Sequence, residues 1–76
     1  MSARLPRVTG TEVLRALERA GWQRVHQVGS HIHLRHPQQP GRVTIPIHRG
    51  KTLKLNTLAS ILKQAGLTPA EFSDLL

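Results

Sequence analysis

The sequence predicts an α+β fold of order α-β-β-β-α-α, a three-stranded antiparallel sheet with its helices on one face. Three observations point there. Apolar residues recur at helical spacing in two stretches flanked by helix start and stop signals, and they alternate in two stretches between them. The connections between the alternating stretches are short enough to make the sheet an antiparallel meander.

Thr9-Gly10-Thr11-Glu12 has the form of a capping box, in which hydroxyl and carboxylate each satisfy a free backbone N–H. Val13, Leu14, Leu17 and Ala20 follow at helical spacing, and Gly21 supplies the stop. A first strand is expected over Trp22 to Val28, where Trp22 and Val25 cannot share one side without a bulge or a twisted end. Gly29-Ser30 turns the chain into His31 to His36, with Ile32 and Leu34 on one face and His31, His33 and Arg35 on the other. Pro37 to Gly41 reads as a turn by composition. Val43, Ile45 and Ile47 alternate in a third strand that Pro46 confines to an edge or a strand end. After a polar loop over His48 to Lys54 comes a helix with Leu58, Ile61, Leu62 and Ala65 on one stripe, Asn56 as its expected cap and Gly66 as its stop. Thr68-Pro69-Ala70-Glu71 is a second capping box, opening a last short helix that carries Phe72 and Leu75. Both main helices should cover one sheet face, leaving His31, His33, Arg35 and Thr44 on the other. The arrangement resembles the double-stranded RNA-binding domain.

With 76 residues the chain is expected to form a single domain, 1–76, with an N-terminal arm over 1–8 and a folded core over 9–76. Neither a membrane span nor a secretory leader is apparent, and cysteine is absent, so the chain reads as cytoplasmic. Charge says more. Eleven Lys and Arg oppose four acids, for a net +7 with histidines neutral. All four acids lie at the ends, at Glu12, Glu18, Glu71 and Asp74, so residues 19–70 contain none. A positive field this unbalanced suits a polyanion, with nucleic acid ahead of an anionic membrane or an acidic protein.

The missing acids narrow the chemistry. Two-metal phosphodiester cleavage needs clustered carboxylates, a serine triad needs an orienting acid, and cysteine nucleophiles are absent. What remains is histidine acid–base catalysis on RNA, whose own 2′-hydroxyl can attack the adjacent phosphate. His31, on the open face just after the Gly-Ser turn, is the candidate; taken alone it reads more readily as a surface histidine on a basic sheet. His31 and His33 could hold a metal with His36 or His48, but His36 points to the opposite face, so no metal or other cofactor is expected. His26 and His36 read as bystanders. Arg35, Arg49, Lys51 and Lys54 are candidate phosphate contacts, with His33 beside them as an RNA-binding residue.

Three stretches carry a specific resemblance. Gly29-Ser30-His31 looks like the G-S-H signature of HicA toxins. Val43-Thr44-Ile45-Pro46-Ile47-His48 with Gly50-Lys51, and Leu58 through Gly66, are similar to that family's third strand with its loop and to its second helix. The likeness runs from about Gly10 to Phe72, and Asn56 departs from it where glycine is frequent. It implies an mRNA interferase of a toxin–antitoxin pair, neutralised by a HicB-type antitoxin. It implies also that His31 is catalytic, with Gly29 and Ser30 shaping its turn. The alternative of the same shape is a non-catalytic RNA-binding module, and a further one is an interaction protein whose basic sheet serves an acidic partner.

Overall fold

A computed structural model describes residues 5–76, so half of the expected N-terminal arm, residues 1–4, lies outside the described residues. The elements are α1 (Gly10–Arg19), β1 (Gln23–Val28), β2 (His31–His36), β3 (Gln39–Pro46), α2 (Leu55–Ala65) and α3 (Pro69–Leu75). The strands form one antiparallel sheet in the order β1-β2-β3. This is the α+β, double-stranded RNA-binding-domain-like arrangement that the apolar periodicities predict.

Both capping boxes form. Thr9 accepts from the Glu12 N–H while Glu12 accepts from that of Thr9, and Thr68 and Glu71 repeat the exchange around Pro69. Two N–H groups at each helix start are thereby satisfied, which is worth about 1 kcal/mol per cap. The Glu71 carboxyl is held below its ordinary range, first by the Thr68 backbone N–H and then by its hydroxyl. Gly66 ends α2 in the left-handed conformation that glycine adopts freely, with φ 71°.

The core lies between helices and sheet. Ile32, Leu34, Val43 and Ile45 point from β2 and β3 onto Val13, Leu14 and Leu17 of α1 and Leu58, Ile61 and Leu62 of α2, all buried, with Phe72 of α3 completing the layer. At roughly 1.5–3 kcal/mol for each large aliphatic or aromatic side chain, this burial is the main favourable term. By contrast β1 is exposed along its whole length. Arg24 and Gln27 stand opposite the buried Leu34 and Ile32, yet both are solvated, so β1 extends beyond the edge of the helical layer. Trp22, buried just before the strand begins, fills the corner instead, with its ring edge-on to His36 at 5.3 Å. Nδ1 of His36 accepts from the Gln38 N–H, so its Nε2 carries the proton and donates to the Ala20 carbonyl at the end of α1.

Four expectations need correction. The turn after β2 is confined to Pro37-Gln38, because His36 pairs with Gln39 and β3 starts there. Pro40 and Gly41 are carried in a bulge, which an edge strand tolerates. Lys54, not Asn56, is the N-cap of α2 and makes no side-chain cap; the Asn56 carboxamide accepts from Thr57 N–H within the first turn. Leu53, read as part of a polar loop, is buried. Val8, read as part of the arm, is buried too, and its carbonyl accepts from the Leu53 N–H at 2.7 Å.

Gly10 opens α1 directly against the Pro46 carbonyl, where a Cβ would overlap the oxygen. Helix propensity alone makes Gly10→Ala favourable by up to about 1 kcal/mol. The clash is with backbone and cannot rotate away, so a cost of about 1–3 kcal/mol dominates. A thermal melt should therefore show Gly10→Ala less stable than the parent chain.

Candidate active site

The open face of the sheet is ordered by cross-strand pairing into rows. Val28, His31 and Pro46 are partners in one row, and His26, His33 and Thr44 in the next. Arg35 lies beyond, paired with Gln23. Partners directly opposite one another in an antiparallel sheet have their Cβ atoms about 4.5–5.5 Å apart, so each row is a set of neighbours.

His31 begins β2 and is exposed. Its turn is secured from both sides. The Ser30 carbonyl accepts from the Ile47 N–H at 2.6 Å, tying the turn to the end of β3, and the Gln27 carboxamide donates to the Gly29 carbonyl at 3.0 Å. Gly29 has φ 58°, and a Cβ there would meet nothing within 4 Å. The glycine is thus favoured by its backbone conformation and not by crowding.

His33 is half-buried. Its Nδ1 lies 3.0 Å from the Thr44 hydroxyl, and its ring stacks on that of His26 at 5.9 Å and 25°. Its imidazole is held below the ordinary pKa of 6.5, first by lost hydration and then by the positive charges of Arg42, His26 and His31. The open face is therefore a surface where cations accumulate without acidic relief. Glu18 is drawn to Arg24 at 3.2 Å, away from that face.

Beside His31 the surface sinks into a hollow of about 320 Å³ between the end of β3 and the start of α2, lined by Pro46, His48, Lys51, Lys54 and Thr57 among others. Because Pro46 is the direct partner of His31, the hollow adjoins the histidine's row. The sites expected from sequence thus gather in two groups: His31, His33 and Arg35 on the sheet, and Lys51 and Lys54 in the hollow. Arg49 is exposed on the loop but does not line the hollow.

His26, read as a bystander, lies on the same open face, stacked on His33. A bulge at Val25 places both Val25 and His26 opposite His33, and this phase shift turns His26 onto the open face. Thr44, on the open face as its alternation indicates, pairs directly with His33, and Arg42, in the irregular stretch of β3, is close enough for its charge to act on that ring. His36 lies on the core side, as its alternation indicates. Among the described residues no three His, Cys, Asp or Glu side chains come together as a metal site, and no helix is long and apolar enough to cross a membrane.

No curated protein matches the chain. A family model described as the HicA toxin of bacterial toxin-antitoxin matches residues 10–67, from the first residue of α1 to just past α2, and so contains the Gly-Ser-His turn, the histidine rows and the lysine-lined hollow. With more than half of its length matched, including every element that builds this face, the chain belongs to the HicA family of toxins.

Proposed function

We propose that this toxin is an endoribonuclease, an mRNA interferase of the cytoplasm held in check by a HicB-type antitoxin. The observation that carries the reading is His31, exposed at the head of β2 on a turn pinned to β3 and flanked by cations that no carboxylate in residues 19–70 can neutralise. His31 exchanges a proton with the reacting groups of RNA, while Arg35, Arg49, Lys51, Lys54 and His33 hold the backbone. Lysines in the hollow next to His31 oppose the negative charge that grows on phosphorus oxygens in the transition state. RNA supplies its own nucleophile, the 2′-hydroxyl, so the chain need not provide one. With no carboxylate on this face, the protein does not offer the ligands that paired metal ions require.

The test is the product. Incubated with RNA in excess EDTA, the protein should still cleave and should leave 2′,3′-cyclic phosphate or 3′-phosphate ends. DNA, lacking the 2′-hydroxyl, should stay intact. A strict magnesium requirement, or 5′-phosphate ends, would overturn the mechanism.

A further inference from the structure

We propose that His33 is the second proton carrier of the cleavage: Thr44 fixes its Nδ1, its Nε2 takes the 2′-hydroxyl proton, and His31 protonates the leaving 5′-oxygen. The proposal rests on the ribonuclease reading above and assigns to two side chains the proton transfers left there to one.

Placement is the first support. His31 and His33 are two residues apart on one strand, on the same face, so their backbones are separated by about 6.6 Å. A phosphate seated between them would have one imidazole on each side, and proton transfer needs each of these within about 2.6–3.2 Å of the oxygen it serves. Displacement at phosphorus with attacking and leaving oxygens in line requires the base and the acid on opposite sides. A single histidine does not meet that requirement alone; two that flank the phosphate do.

Orientation is the second. A surface histidine ordinarily rotates freely, whereas His33 is held at Nδ1 by its cross-strand partner Thr44 and along its ring by His26. Only Nε2 remains free for substrate.

The third is the division of labour. The groups around His33 are His26 from β1, His31 and Arg35 from its own strand, and Arg42 with Thr44 from β3, all cationic or neutral. They favour the uncharged ring, and a neutral imidazole is the one that accepts a proton. His31 then supplies the acid. The His33 lone pair takes the 2′-hydroxyl proton, the 2′-oxygen forms its bond to phosphorus, the bond from phosphorus to the 5′-oxygen breaks, and that oxygen takes the proton of His31. The products are a 2′,3′-cyclic phosphate and a 5′-hydroxyl, and exchange with water returns both histidines to their starting states.

The experiment compares the full chain with His33→Asn, which keeps a polar group near Thr44 but has nothing at the Nε2 position. On an RNA oligonucleotide, kcat should fall by about 10²–10⁴-fold. The acid limb of the parent's kcat/KM profile should lie below pH 6.5 and be lost in the variant. Thr44→Val, close in shape to the parent, should lower kcat more than it changes KM. An oligonucleotide with sulfur in place of the bridging 5′-oxygen, whose thiolate departs without a proton, should rescue His31→Ala and leave His33→Asn slow. Parent-like kcat and an unchanged pH profile in a folded His33→Asn would refute the proposal and leave His31 as the sole proton carrier. Rescue of His33→Asn by the sulfur substrate, and not of His31→Ala, would reverse the two roles and overturn the assignment. Failure of the parent chain to cleave any RNA would remove the ribonuclease reading and this assignment with it.

Discussion

Expressed in bacteria, the parent chain should arrest growth, and His31→Ala should relieve that arrest and slow RNA cleavage by about 10²–10⁴-fold, the usual contribution of a positioned general acid or base. The stability of the domain should hardly change. His31 is exposed, and its backbone pairing with Val28 and Pro46 does not depend on the side chain. Surface substitutions of this kind usually stay within about 0.5 kcal/mol, so the thermal midpoint and the circular dichroism spectrum should match those of the parent. His31→Asn provides a second polar variant of similar volume, expected to fold as well and to be as inactive. The contrast with Gly10→Ala is instructive, since that change should lower stability without removing any group that exchanges protons. A folded His31→Ala protein that still arrests growth and cleaves RNA would place the chemistry elsewhere on the molecule.

What could be read from the sequence, and what could not, divides along a physical line. Features set by neighbours in the chain were legible. The Thr9–Glu12 and Thr68–Glu71 boxes mark helix starts because both partners lie within one turn. Gly66 marks a stop through its own backbone freedom, and Ile32 and Leu34 reveal the buried face of β2 by alternation alone. Features set by pairing across strands were not. The bulge at Val25 resets the phase of β1, so no reading of that strand by itself puts His26 beside His33. Pro40 and Gly41 look like a turn, yet an edge strand absorbs them into a bulge against Arg35. Asn56 resembles a cap because of its side chain, but the helix begins one residue before it, and Lys54 takes the cap position without capping by its side chain. Similarly, Val8 and Leu53 are apolar residues isolated among polar ones, and only their backbone hydrogen bond shows that they close the core together. Of the candidate site, the residues on β2 were accessible from spacing, whereas the Thr44 and His26 contacts that orient His33 required the sheet.

The other large effect should come from reversing charge in the hollow. Lys51→Glu with Lys54→Glu places two carboxylates where the parent has two ammonium groups, next to the row that holds His31. Each phosphate contact releases counterions, and for single strands the slope of log K against log salt is about −0.7 per contact. Loss of both contacts should therefore flatten that slope by about 1.4 and weaken RNA binding whatever the sequence of the RNA. Folding should survive, because both lysines are exposed and neither has an ion-pair partner among the described residues. The same double variant should also disturb recognition by the proposed antitoxin. A chain of +7 with no acid from residue 19 to residue 70 attracts an acidic surface to this face, and a partner seated there covers His31 and competes with RNA for the same cations. Charge mainly governs encounter, so antitoxin association should slow most at low salt and converge on the parent's rate as salt rises. Titrating parent and variant with antitoxin across a salt series, with RNA cleavage as a second readout, tests both effects in the same samples. If the antitoxin binds the variant with parent-like kinetics and the complex leaves His31 accessible, inhibition must act from the helical side of the molecule, and the shared-cation account fails.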